Sequence, residues 1–157
     1  MSGQERTRRE RHRRRTIAEI KSTAMARLRE AGHDAVSFNA IARGMAMSPP
    51  ALYRYFDCRD ELLAELAVDI HLELAGALEA AAARSASPAA RVRAVAHAYR
   101  AWALAEPHAY RLAYGSTQGS GREHAADRVA PAARRSMTVL LTAVAEAGPP
   151  SAVAVPD

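Results

Sequence analysis

Residues 37–56, SFNAIARGMAMSPPALYRYF, decide how the rest of the chain is read. Ser48 is followed by Pro49 and Pro50. A serine hydroxyl caps a helix start, and a proline at the first helical position lacks only an N–H that has no intrahelical partner there, so a helix is expected to begin at Ser48. Because Pro50 also lacks an N–H, the Ser48 hydroxyl is expected to reach the amide of Ala51. The helix should last about two turns, since ALYRYF runs into Asp57 and Cys58. Leu52 and Phe56, four apart, share an inward face, while Ala51, Tyr53, Arg54 and Tyr55 spread over the rest. Upstream, Phe38, Ile41, Ala42 and Met45 follow the i, i+3, i+4, i+7 spacing of an amphipathic helix with Ser37 as its N-cap. Two short helices thus meet near Ala46.

This pair, with the CRDELLAEL that follows at 58–66, resembles the helix-turn-helix of the tetracycline-repressor (TetR) family of transcriptional regulators. The resemblance implies an all-α fold: a three-helix DNA-binding domain, then a helical domain for ligand binding and dimerisation. That family usually has Gly in the turn where this chain has Ala46, its own Gly lying two residues earlier at Gly44. If the turn needs a positive φ there, the Cβ of Ala46 costs on the order of 1 kcal/mol.

Charge separates the two halves. Residues 1–60 hold 13 Lys and Arg against 7 Asp and Glu, or +6, and residues 61–157 hold 9 against 10, or −1. A basic excess confined to one module is the footprint of nucleic-acid binding, whereas the plainer reading is a solvated surface. With 49% hydrophobic and 25% charged residues the composition is that of an ordinary globular chain, and no stretch alternates for long as strands do. Cys58 is the single cysteine, which excludes an intramolecular disulfide and a cysteine metal cluster and fits a reducing cytoplasm. No run of apolar residues is long enough for a membrane span, and the arginine-rich start lacks the apolar stretch of an export signal.

Four segments are expected: a basic disordered arm over 1–15, a helix-turn-helix domain over 16–57, a helical regulatory domain over 58–147, and a disordered tail over 148–157. The arm carries Arg6, Arg8, Arg9, Arg11, Arg13, Arg14 and Arg15, which would neutralise phosphates or enter a minor groove, or merely solvate the chain. Ile17, Ile20, Ala24, Leu28 and Ala31 form one helical stripe ending at Gly32. A long helix from about Cys58 to Arg84 presents Leu62, Leu63, Leu66, Ile70, Leu74 and Leu78. Ser87 and Pro88 open the next helix, with Val92, Val95, Tyr99 and Trp102 inward to about Ala105, and Pro107 opens a short one bearing Tyr110, Leu112 and Tyr114. AYRAWALAEPHAYRLAYG, at 98–115, is similar to the regulatory domain of a TetR subfamily. GSTQGSG, at 115–121, reads as a flexible loop. A last helix from about Arg122 to Ala147 shows an apolar stripe of Val129, Ala133, Met137, Leu140 and Val144, with Pro131 kinking it or delaying its start. TetR proteins usually end in two long helices that form a four-helix dimer interface. Here one follows residue 121, so the domain reads as truncated.

The resemblance places Asn39, Ser48, Pro49, Pro50, Ala51, Tyr53 and Arg54 at the DNA-facing positions. Arg54 would pair with guanine and Asn39 with adenine. Ser37, Tyr53, Tyr55 and Arg59 would hold phosphates, although Tyr55 reads equally as half core and Arg59 as a solvated first-turn residue. His97, Tyr99, Trp102, Tyr110, Tyr114 and Met137 are candidates to line a pocket for a small effector, against the alternative of plain core packing. His71, His97, His108 and His124 have no common metal-ligand spacing, and no cofactor or catalytic motif is present. What the resemblance implies is a homodimeric repressor on double-stranded operator DNA, released by a small molecule. The alternative is a non-specific DNA-binding module that relies on the arm.

Overall fold

The computed structural model describes residues 3–115 and 122–148, with side chains for 7–115 and 126–148. Seven α-helices and one 3-10 turn make up the described residues, with no strand among them: α1 Gly3–Ala31, the 3-10 turn His33–Ala35, α2 Phe38–Gly44, α3 Pro49–Leu52, α4 Arg59–Ala83, α5 Pro88–Ala105, α6 Pro107–Tyr114 and α7 Arg122–Ala147. The loop expected at 116–121 and the tail from 149 onward lie outside the described residues.

The arginine segment is helical rather than irregular, because α1 continues unbroken from Gly3. Arginine is a good helix former, and neither Pro nor an internal Gly interrupts the run. Local pairs reinforce it: Arg14 with Glu10 at 3.1 Å, Arg15 with Glu19 at 3.7 Å, and Arg11 Nε donating to the Thr7 carbonyl at 3.4 Å.

α1, α2, α3 and the first half of α4 enclose one apolar core. Ile20, Ala24, Leu28, Val36, Phe38, Ile41, Ala42, Leu52, Phe56, Leu62, Leu63, Leu66 and Ile70 are buried there, joined by Ala109 from α6. A second core, Leu74, Leu78, Val95 and Ala143, lies between the far half of α4, α5 and α7. Trp102 packs against both. The five leucines and one isoleucine expected on the inward face of α4 are all buried.

The apolar stripe expected on α7 is inward only in part: Val129, Ala133 and Leu140 are half-buried, Leu140 against the second core. Ala132, Ser136 and Ala143 are buried, while Met137 (43%) and Val144 (58%) are exposed. Small residues let α7 lie close against α4, so the spacing of the larger apolar residues marks the edge of the buried face together with exposed positions. Arg128 near the start of α7 pairs with Glu61 near the start of α4, and Arg135 in the middle of α7 pairs with Glu79 near the end of α4, so the two helices run in the same direction. α7 also continues through Pro131, whose missing N–H removes one bond to the preceding turn.

Candidate nucleic-acid interface

The surface is built from the two short helices. Ser37 caps α2 as expected, its Oγ accepting from the Ala40 N–H at 3.2 Å. Asn39 is exposed in the first turn. Between the helices Ala46 takes a φ of 53°, the left-handed conformation that favours glycine, so the turn keeps its shape despite the Cβ. Gly44 is exposed, and a Cβ there would come only to contact distance, 3.4 Å, of the guanidinium end of the flexible Arg27 side chain.

α3 is shorter than expected. One α-turn, Pro49–Leu52, is followed by tightened i→i−3 bonds, Arg54 N–H to Ala51 at 3.4 Å and Tyr55 N–H to Leu52 at 2.9 Å. The Ser48 hydroxyl makes no cap. The Ala51 N–H goes instead to the Ser48 carbonyl at 2.9 Å, because the two prolines leave no other early donor and the turn closes through the backbone. Ser48, Pro49 and Pro50 are therefore exposed, with the serine hydroxyl uncommitted to the cap.

The end of α3 separates its side chains by role. Leu52 and Phe56 are buried and Ala51 is half-buried. Tyr53 is 58% exposed, its ring edge-on to Phe38 at 4.9 Å, which holds it beside the start of α2 and Asn39. Arg54 points to solvent. Tyr55 is half-buried against the first core, and the Arg13 guanidinium sits over its ring at 5.4 Å. Arg13 also donates from Nη1 to the Arg54 carbonyl at 2.9 Å. This link between residues 41 apart had no signal in the sequence beyond the presence of an arginine.

Arg59 is engaged with protein rather than left free for a phosphate. Its Nε donates to the Val36 carbonyl at 2.6 Å and its Nη2 to the His33 carbonyl, which clamps the 3-10 turn to the start of α4. Cys58, the N-cap of α4, is exposed and makes no side-chain cap. Burial alone would raise the Glu61 carboxyl. Hydrogen bonds from the Asp57 N–H and the Arg128 guanidinium nevertheless hold it below the ordinary carboxylate range. In the arm, Arg11, Arg13, Arg14 and Arg15 have partners on the protein; Arg8 and Arg9 are exposed without one among the described residues.

The effector candidates fall into two groups. Tyr99, Trp102, Tyr110 and Tyr114 form one aromatic cluster where α5 meets α6, with ring centroids 5.1 to 6.5 Å apart. Burial, then the hydroxyls of Tyr114 and Tyr110, push the Tyr99 phenol above its ordinary value. His97 and Met137 do not join this cluster: His97 is exposed on α5 and Met137 lies on the outer face of α7. His71, which spacing alone did not single out, does join it. It is buried, its ring lies edge-on to Tyr114 at 5.3 Å, and its Nδ1 faces the Ser136 hydroxyl at 3.4 Å. Burial lowers its pKa from 6.5, against a partly offsetting hydrogen bond to the Ala113 backbone. A separate groove of about 540 Å³ between α4, α5 and α7, bounded by Glu79, Arg91, Arg135 and Glu146, shares no residue with the cluster. Among the described residues no three His, Cys, Asp or Glu side chains are placed to hold a metal ion, and no helix is long and apolar enough to cross a membrane.

Comparison with known proteins converges on one family. Residues 20–66 match the family described as bacterial regulatory proteins of the tetR family, and residues 92–156 match the tetracyclin repressor-like C-terminal domain. The HTH-type transcriptional regulators Rv1816 of Mycobacterium tuberculosis and Mb1846 of Mycobacterium bovis are each 35% identical over 130 residues, 82% of this chain; the chain spans 55% of their length. The crystal structure of the regulatory protein SCO4313 is 44% identical and superposes with a TM-score of 0.70, over 91% of this chain and 67% of that one. A TetR-family regulator structure from Streptomyces coelicolor is 26% identical with a TM-score of 0.52, over 83% of this chain and 69% of its own. With both halves of the fold matched and the helix-turn-helix in place, the chain belongs to the TetR family of bacterial transcriptional regulators.

Proposed function

We propose that this regulator reads operator DNA through α2 and α3, and represses until a small apolar or aromatic effector releases it. The observation that carries the reading is the surface on which Tyr53 and Arg54 stand exposed beside Asn39, Ser48, Pro49 and Pro50, with their backbone held from behind. Arg54 pairs with a guanine edge and Asn39 with an adenine edge; Ser37, Ser48 and Tyr53 position the phosphates. Arg8 and Arg9 add charge that neutralises backbone without reading it.

Two copies act together. Met137, Leu141 and Val144 recur at i, i+4 and i+7 as an exposed apolar stripe on α7, and we assign this stripe to a second copy of the chain. The dimer sets its two reading surfaces about 34 to 36 Å apart, or a modest multiple, on a near-palindromic site. The effector binds at the cluster of Tyr99, Trp102, Tyr110 and Tyr114, with His71 at its edge. It releases DNA by binding two states of the protein unequally.

Selection from a pool of randomised duplexes tests this. The expected product is a near-palindrome, and Arg54→Ala relaxes the preference at one base pair per half-site at a cost of about 1–3 kcal/mol. Recovery of unrelated sequences by the wild type contradicts the reading.

A further inference from the structure

We infer that Arg13 is a positioning residue for base recognition: it fixes the end of α3, and through it Arg54, without itself touching DNA. The inference rests on the operator-reading role proposed above and deepens it.

α3 needs such a support. Its regular part is four residues long, and the backbone that carries Tyr53 and Arg54 lies in the tightened turn beyond it. A helix this short leaves its last carbonyls without intrahelical partners, and a mobile end would spread the Arg54 guanidinium over several base edges. Arg13 answers both needs with one side chain. Its Nη1 donates to the Arg54 carbonyl at 2.9 Å, and its guanidinium plane lies over Tyr55, a residue anchored in the first core. The backbone of Arg54 is thereby tied to α1, whose own register is set by the buried Ile20, Ala24 and Leu28.

The same geometry divides the arginines of α1 into two kinds. Arg13 spends its donors on the protein, whereas Arg9, one turn earlier on the same helical face, is exposed with no partner among the described residues. Arg9 is the phosphate contact and Arg13 the support.

Full-length wild type, Arg13→Ala, Arg13→Lys and Arg9→Ala are compared by anisotropy on the duplex recovered in the selection above. A second duplex is changed at the base pair whose preference Arg54→Ala relaxes, and each is measured at several salt concentrations. Arg13→Ala is expected to lose roughly fivefold to tenfold in discrimination between the two duplexes while its salt slope stays that of the wild type. Arg13→Lys keeps the charge but lacks the planar fork, so it loses discrimination too. Arg9→Ala keeps discrimination and lowers the slope by about 0.9. Loss of slope in Arg13→Ala with full activity in Arg13→Lys makes Arg13 a phosphate contact and overturns the proposal. Unchanged discrimination in both Arg13 variants, with a discriminating wild type, overturns this inference alone. A wild type that discriminates neither duplex removes the operator reading and the inference with it.

Discussion

Arg29 on α1 and Glu106 at the corner between α5 and α6 are ion-paired across 77 residues of chain, Nε to Oε2 at 3.0 Å. The Nη2 of the same guanidinium donates to both carboxylate oxygens of Glu73 on α4, at 2.8 and 3.1 Å. One turn on, a Cβ added at Gly32 would lie 3.0 Å from His108 Nδ1 of α6, in a residue whose φ is 81°. The helix-turn-helix unit is thus held to the C-terminal half by α6 as well as by α4.

Loss of that seam has a measurable cost. Arg29→Ala is expected to lower unfolding stability by about 1 kcal/mol, since the pairs are partly exposed but share one guanidinium. Gly32→Ala should cost about 1–2 kcal/mol, through both the positive φ and the imidazole it would meet. Urea denaturation checks both, and an unchanged midpoint in Gly32→Ala would show that α6 does not pack there.

Ala46 makes the opposite prediction. Relief of its left-handed φ of 53° stabilises by about 1 kcal/mol, and the greater freedom of glycine in the unfolded chain takes back part of it. Ala46→Gly should therefore raise the thermal midpoint by a few degrees or less, at about 0.5 kcal/mol net. A lower midpoint would mean that the Cβ of Ala46 packs usefully.

His71 gives the fold a pH dependence of known sign. Burial lowers its folded pKa below the ordinary 6.5, so the unfolded chain takes up the proton first. Stability is then fully present above about pH 6.5 and is lost as pH falls through the folded pKa. Between pH 7.5 and 5.5 the urea midpoint of the wild type should fall, and that of His71→Gln should fall less. Equal slopes for the two proteins would refute the assignment.

The outer stripe of α7 predicts assembly. Leu141 is 62% exposed at its centre. Leu141→Asp should shift sedimentation toward the monomer and weaken operator binding at least tenfold, because each half-site then binds alone. A wild type that sediments as a monomer at micromolar concentration contradicts the proposed pairing.

Much of this was legible in the residues. Ser37 and Ser87 cap their helices as their positions indicate, because a hydroxyl before a helical run has few better uses. The strained turn at Ala46 was legible as well, from the absence of a glycine where the family turn carries one. Other features depend on distance through space. The commitments of Arg13 and Arg59 to carbonyls on other elements cannot be told from solvated arginines in a string of letters. The face of α7 is only half legible for a different reason: apolar periodicity does not separate a core face from an exposed one, and here Leu140 packs on the core while Ala132, Ser136 and Ala143 fill it. His71 gives no signal in the sequence because its partners, Tyr114 and Ser136, come from two later helices.

The most direct test is fluorescence anisotropy with a labelled fragment of the DNA upstream of the gene encoding this chain, against a scrambled fragment of equal length near physiological salt. An operator-reading dimer binds its own fragment at least about a thousandfold more tightly. Equal and steeply salt-dependent binding to both fragments would contradict that claim, and would leave the arginines of α1 coating DNA without reading it.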